Sequence, residues 1–267
     1  MKSLILVKLG GSLITDKKRP FSVRFKTLKS LCREIYLIRK KTGLSFIVGH
    51  GGGSFPHVPA QKYRIQEGLI NKDSIRGIAE VQDAASRLNR IVVAEFLKVN
   101  EKAISFNPSS FFITRDGEIK KAFLNSLLKS LELGMLPIVY GDVTFDEKKG
   151  CNILSTERLL NYLALALRNK YKSVKVIYCG ITDGVYDEEK KTVKEITPVN
   201  FEKIKEKIRG SEGIDVTGGM LHKVKEALKL SKKGIPVVVI NGLRINELKN
   251  VIEGKSFRGT YIKNTNL

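Results

Sequence analysis

The sequence predicts an α/β protein, a three-layer sandwich with a mainly parallel central sheet, on three observations. Short apolar runs alternate with amphipathic stretches from the first residues, two of those runs end in glycine-rich turns, and 42% apolar content over 267 residues supplies a sizeable core. Strands are expected at 4–9, 44–48, 136–140, 174–179 and 236–240. The first long helix gathers Leu28, Leu31, Cys32, Ile35 and Ile38 on one face. A second, from Ser74 to about Val99, is expected to turn Ile75, Ile78, Ala79, Ala85, Leu88, Val92 and Phe96 inward. Further helices fall near 156–168, 201–208 and 220–232, and Asp116-Gly117 predicts a hairpin turn within 111–121. In such a sheet, ligands gather at the carboxyl ends of the strands, where the glycine-rich turns lie.

Composition narrows the function classes. Cys32, Cys151 and Cys179 are odd in number and widely spaced, without a C-x-x-C pair, so they read as reduced thiols in a cytoplasmic protein. The apolar run Leu4 to Val7 stops at Lys8, too short for a signal peptide, and no stretch is long enough to span a bilayer. The formal charge is +21, and residues 1–50 carry twelve Lys and Arg against two acids. Such an excess suits nucleic acid or a small anionic substrate. The basic residues spread around helices rather than packing with aromatics into a stacking platform, which favours the small anion.

Three motifs can handle that anion. Lys8-Leu9-Gly10-Gly11-Ser12 ends a strand with two glycines, whose bare backbone lets N–H groups approach a phosphate, and with a lysine beside them. A strand-to-loop turn with a solvated lysine fits the same residues. In Gly49 to Ser54, four glycines in five positions cost much conformational entropy, more than a turn alone requires, and His57 follows one helical turn later. His50 reads as a brace of that loop. The third motif, Asp215 to Lys223, places Thr217 as a helix cap, Gly218-Gly219 at the helix start and Lys223 in its early turns, with His222 on the surface. A capped surface helix is the alternative there. Other nucleotide motifs fail: a Walker A loop ending Gly254-Lys255-Ser256 meets Lys249 where glycine is needed, and G-x-G-x-x-G from Gly49 breaks at Ser54.

The ordered set 8–12, Gly51-Gly52-Gly53-Ser54-Phe55-Pro56-His57, Gly141-Asp142, Asp183-Gly184-Val185-Tyr186 and Asp215 to Met220 resembles the amino-acid kinase superfamily along nearly the whole chain. Within it, the histidine after G-G-G-S-F is similar to that of the isopentenyl phosphate kinases. The resemblance implies a homodimeric enzyme of isoprenoid biosynthesis, in the mevalonate pathway, that uses ATP and Mg²⁺ and acts on isopentenyl phosphate. It implies that His57 holds the acceptor phosphate, with Gly51, Gly53, Ser54, Gly141 and Asp142 around the acceptor. Lys8 and Lys223 would balance the transferring phosphoryl group, Lys17 would stabilise the transition state, and Glu157 would set the lysines' positions. Gly10, Gly11, Ser12, Gly52, Asp183, Gly218 and Gly219 would hold ATP together with Lys8 and Lys223. The chain then reads as a single domain, 1–267, with 1–170 serving mainly the acceptor and 171–267 mainly the nucleotide. No protein metal ligand is assigned. Other acceptors on the same fold are fosfomycin, UMP or an acyl amino acid, and a non-catalytic, nucleotide-responsive nucleic-acid binder is the remaining alternative.

Overall fold

The alternation of apolar runs and amphipathic stretches becomes twelve strands and ten α-helices among the described residues of this computed structural model, which describes residues 2–16, 18–210 and 219–265. In chain order they begin β1 (Leu4–Leu9), α1 (Gly11–Ile14), α2 (Phe25–Thr42), β2 (Ser45–His50), α3 (His57–Lys62), α4 (Asp73–Lys98), β3 (Ala103–Ser105) and α5 (Pro108–Phe111). There follow β4 (Phe112–Arg115), β5 (Glu118–Ala122), α6 (Asn125–Glu132), β6 (Leu136–Tyr140), β7 (Asp142–Asp146), β8 (Gly150–Leu154) and α7 (Thr156–Leu167). The chain closes with β9 (Val174–Gly180), β10 (Glu195–Ile196), α8 (Pro198–Gly210), α9 (Gly219–Ser231), β11 (Val237–Asn241), α10 (Glu247–Glu253) and β12 (Gly259–Ile262). No helix among the described residues is long and apolar enough to cross a membrane. The three cysteines are buried, and none is joined in a disulfide.

Two compact units divide the chain, Leu9–Leu159 in one and Met1–Lys8 with Leu160–Leu267 in the other. In the first, β2, β6 and β3 run parallel, with Gly49 opposite Val139 and His50 opposite Tyr140. A separate sheet of order β5-β4-β7-β8 carries two hairpins. The first turns on Asp116 and Gly117, at φ 52° and 80°, the positive-φ pair that the Asp-Gly dipeptide predicts. The β7–β8 hairpin is not foreseen by pattern, because its turn is organised by a side chain. The Asp146 carboxylate accepts the N–H groups of Lys148 and Lys149 at 2.9 Å, and those of Asp116 and Gly117 at 3.0 and 2.8 Å. In the second unit the strand order is β10-β12-β11-β9-β1, with β9 and β11 parallel and β12 antiparallel to β11.

The helix faces follow their periodicity with one correction. All five predicted residues of α2 are buried. On α4, Ile75 is 69% exposed and Ala79 is exposed, against the inward face expected for both. The first turns of α4 instead bury Ser74, Gly77 and Val81, because a Cβ at Gly77 would stand 2.4 Å from that of Tyr63; the close approach selects that stripe and rotates Ile75 outward. Helix α8 starts three residues earlier than its apolar pattern suggests. Pro198 occupies its first position, and Thr197 and Asn200 bond reciprocally, Asn200 N–H to Thr197 Oγ1 at 3.2 Å and Thr197 N–H to Asn200 Oδ1 at 2.8 Å.

One buried ion pair ties the first unit together. The Arg39 guanidinium pairs with the Glu101 carboxylate, the two side chains being 11% and 7% exposed, and donates to the carbonyls of Gly134 and Met135 at 3.1 and 3.3 Å. Arg39→Met leaves a carboxylate buried without its partner, so it is expected to cost about 3–5 kcal/mol in urea unfolding. The double substitution Arg39→Met with Glu101→Leu is expected to recover most of that loss. A single-variant cost below about 1 kcal/mol contradicts the assignment.

Candidate active site

The site in the first unit is built from two loops that touch backbone to backbone. Strand β1 ends at Leu9, and Gly10 caps the single turn α1, its carbonyl accepting from Leu13 and Ile14 N–H at 3.0 and 3.2 Å. Strand β2 ends at His50, and Gly51 N–H reaches back to Leu9 O at 2.9 Å. A Cβ on Gly11 would lie 2.5 Å from Gly53 N, and one on Gly51 would lie 2.8 Å from Gly11 N. Both positions therefore need glycine for space, whatever their φ. Gly53 needs it twice, since its φ is 56° and a Cβ there would strike Thr15 Oγ1 at 2.1 Å.

Thr15, to which the sequence reading gives no role, is the fastener between the loops. Its hydroxyl donates to Gly11 O at 2.7 Å and accepts from Ser54 N–H at 3.0 Å. Pro56 lies over Gly52, whose Cβ would come 2.3 Å from Pro56 Cγ, and it precedes His57 at the start of α3. His57 is exposed. Behind α3 lies an apolar cluster of Ala60, Ile65, Val81, Val143 and Cys151, with Tyr63, Ile78 and Ile153 partly buried against it.

His50 is the brace that the sequence predicts. It is fully buried, stacks on Tyr140 with ring centroids 5.5 Å apart, and places Nδ1 3.2 Å from Gly51 O and Nε2 3.2 Å from Asn89 Oδ1. Burial pushes its imidazole down to about 4, outweighing the bonds to Gly51 and Asn89, so it stays neutral near pH 7. Thr156 is a second missed fastener: its hydroxyl donates to His50 O at 2.7 Å and sits 3.0 Å from where a Cβ on Gly141 would be. Next to Gly141, Asp142 is buried, accepting from Val143 N–H at 2.8 Å and Ser109 Oγ at 3.2 Å. Burial pushes its carboxyl up to about 7 against those bonds. Glu157, in the first turn of α7, is 9% exposed. Gly10, Gly11, Gly51, Gly53 and Ser54 are thus joined at the ends of β1 and β2, and Gly141, which precedes Asp142, donates its N–H to His50 O beside them at 3.2 Å.

The remaining predicted residues belong to the second unit or to undescribed positions. Lys8 is 8% exposed, which removes the alternative of a solvated lysine. Gly219 opens α9 at φ 61°, and His222 and Lys223 are partly exposed in its early turns. The Asp183 carboxylate is held by Arg244 and Asn241 and lies below the usual carboxylate range, chiefly through its bond to Arg244. Lys17, Thr217 and Gly218 lie outside the described residues. Among the described residues, no group of three or more His, Cys, Asp or Glu side chains is placed to hold a metal.

The glycine loops interlocked at the ends of β1 and β2 leave their backbone bare of side chains, the local geometry in which N–H groups can approach an anion. The family model described as the amino acid kinase family matches residues 3–241. The chain belongs to the amino acid kinase family. It is 33% identical over 262 residues to the isopentenyl phosphate kinase of Methanocaldococcus jannaschii, covering 94% of this chain and 96% of that one. It is 32% identical to the isopentenyl phosphate kinase of Methanothermobacter thermautotrophicus, covering 97% and 98%. A solved structure described as an X-ray structure of isopentenyl phosphate kinase superposes with a TM-score of 0.80 at 29% identity, covering 97% of this chain and all of that one. The mixed α/β architecture with its mainly parallel sheet is that of these family structures.

Proposed function

We propose that this protein transfers the γ-phosphoryl group of ATP to isopentenyl phosphate, giving isopentenyl diphosphate and ADP, in cytoplasmic isoprenoid synthesis by the mevalonate pathway. The observation that carries the reading is the pair of interlocked glycine loops leading into His57. Those loops suit an acceptor with a phosphate head, and burial of a five-carbon tail would add roughly 3–4 kcal/mol at about 0.8 kcal/mol per carbon. The relatives named for this activity support the same acceptor over fosfomycin, UMP or an acyl amino acid.

Phosphoryl transfer asks the protein for in-line positioning and for compensation of spreading negative charge. Gly10, Gly11, Ser12 and Gly52 supply backbone donors to the nucleotide phosphates. Gly51, Gly53, Ser54 and His57 receive the acceptor phosphate, and Gly141 and Asp142 border it. Lys8, Lys17 and Lys223 compensate the transferring group, with Glu157 holding the lysines' positions. Mg²⁺ arrives with ATP, since it prefers substrate phosphates and water to an all-protein cage. Residues 1–170 serve mainly the acceptor and 171–267 mainly the nucleotide. A homodimer belongs to the reading through the family resemblance alone.

The test is His57→Ala. A charge-assisted bond to the acceptor phosphate is worth about 1.5–3 kcal/mol, so kcat/KM for isopentenyl phosphate is expected to fall about ten- to a hundredfold. The KM for ATP is expected to stay within a factor of two or so of the parent's. A folded His57→Ala enzyme with parental kcat/KM removes the assignment's most specific residue.

A further inference from the structure

The loops that leave β9 and β11 are locked into one wall by a single carboxylate. The two strands are parallel neighbours in the second unit, with Gly180 opposite Asn241, and Gly242 N–H donates to Gly180 O at 2.9 Å just beyond the last pair. Asp183, three residues past β9, accepts from Arg244 Nε at 2.7 Å and Nη2 at 2.5 Å, the two-pronged geometry in which guanidinium and carboxylate bind most firmly. Asn241 Nδ2 adds a third donor at 2.8 Å, while Asn241 Oδ1 accepts from Leu243 N–H at 3.0 Å. The Asp183 backbone is fixed as well: its N–H donates to Tyr186 Oη at 3.0 Å, and its carbonyl accepts from Thr192 Oγ1 at 3.0 Å. Gly184 follows at φ 107°, with room for a Cβ closed off by Thr260 Oγ1 at 2.6 Å.

The family resemblance counts Asp183 among the residues that hold ATP. A carboxylate already engaged by three donors is poorly placed to receive a ribose hydroxyl or a ligated cation, but it is well placed to set where two loops stand. Those loops occupy the carboxyl ends of adjacent parallel strands, where α/β sheets bind their ligands. They also present Ile181, Leu243 and Ile245, which are 47%, 49% and 82% exposed.

We propose that Arg244 and Asn241 are positioning residues of the nucleotide site, and that Asp183 supports ATP binding by pinning these two loops together rather than by touching the nucleotide. The inference rests on the kinase reading above. Its consequence is that the salt bridge, not the carboxylate itself, is what ATP affinity requires.

The test is calorimetric titration of the full chain with ATP in the absence of acceptor, followed by steady-state kinetics. Arg244→Ala is expected to raise both Kd and KM for ATP by about tenfold, the size of one lost charge-assisted contact, while leaving KM for isopentenyl phosphate unchanged. Arg244→Lys, which keeps the charge and loses the fork, is expected to fall between. The reversed pair, Asp183→Arg with Arg244→Asp, is expected to bind ATP more tightly than either single substitution. The proposal is overturned by parental ATP affinity in Arg244→Ala, by ATP and acceptor KM values rising in step, or by a reversed pair no better than its singles. Titration without acceptor keeps the outcome separate from the acceptor's identity: a parent that binds ATP but ignores isopentenyl phosphate overturns the proposed function and leaves the clamp to be judged on its own variants.

Discussion

Gly11→Ala is expected to lower kcat/KM by more than about a hundredfold, the cost of a misplacement near 1 Å at reacting groups. The added methyl would stand 2.5 Å from Gly53 N and 2.7 Å from Gly53 Cα, so it meets backbone that cannot swing aside as a side chain could. The loops must part, and parting them breaks the geometry that Thr15 enforces through Gly11 O and Ser54 N–H. Overpacking of this kind also costs about 1–3 kcal/mol of stability, so a control is needed. Gly43→Ala provides it: Gly43 caps α2 at φ 64° with nothing within 4 Å of a new Cβ. It is expected to lose about 1 kcal/mol of stability without loss of turnover. Gly11→Ala activity within threefold of the parent contradicts the interlock as the organiser of the site.

Lys8→Met is expected to lower kcat by about a hundred- to a thousandfold with little change in acceptor KM, the pattern of a charge felt mainly in the transition state. Lys8 is 8% exposed at the end of β1, and a cation is buried at such cost only where compensating charge meets it. Methionine matches the length and the apolar stem, so the packing of β1 is preserved while the charge is lost. Lys8→Arg is expected to restore only part of the rate, because a planar fork does not occupy the place of a compact ammonium. Retention of parental kcat in Lys8→Met removes Lys8 from the chemistry.

The architecture was largely legible because it rests on local signals. β6 falls on its expected bounds because Leu136 to Tyr140 is an uninterrupted apolar run, and α2 buries the predicted face residue for residue. The glycine motifs were legible for the same reason, since such a density of glycine has few uses besides close backbone approach. What escaped depends on partners distant in sequence. Thr15 fastens a loop 39 residues away, Thr156 reaches His50 across 106 residues, and Arg244 finds Asp183 across 61; no periodicity announces any of them. Ile75 failed for a related reason, because the packing of Gly77 on Tyr63, not hydrophobicity, decides which stripe of α4 faces inward. The hold on Asp183 was equally hidden, since a motif names the carboxylate without revealing that Arg244 and Asn241 donate to it.

The central claim is the acceptor, and an ADP-release screen tests it most directly. The parent protein is assayed with ATP and Mg²⁺ against isopentenyl phosphate, dimethylallyl phosphate, UMP, fosfomycin and N-acetylglutamate. Isopentenyl phosphate is expected to give the highest kcat/KM, with its double-bond isomer dimethylallyl phosphate next, because only these two of the five pair a phosphate for the His57 loop with a five-carbon apolar tail. A higher kcat/KM with UMP, fosfomycin or N-acetylglutamate contradicts the account.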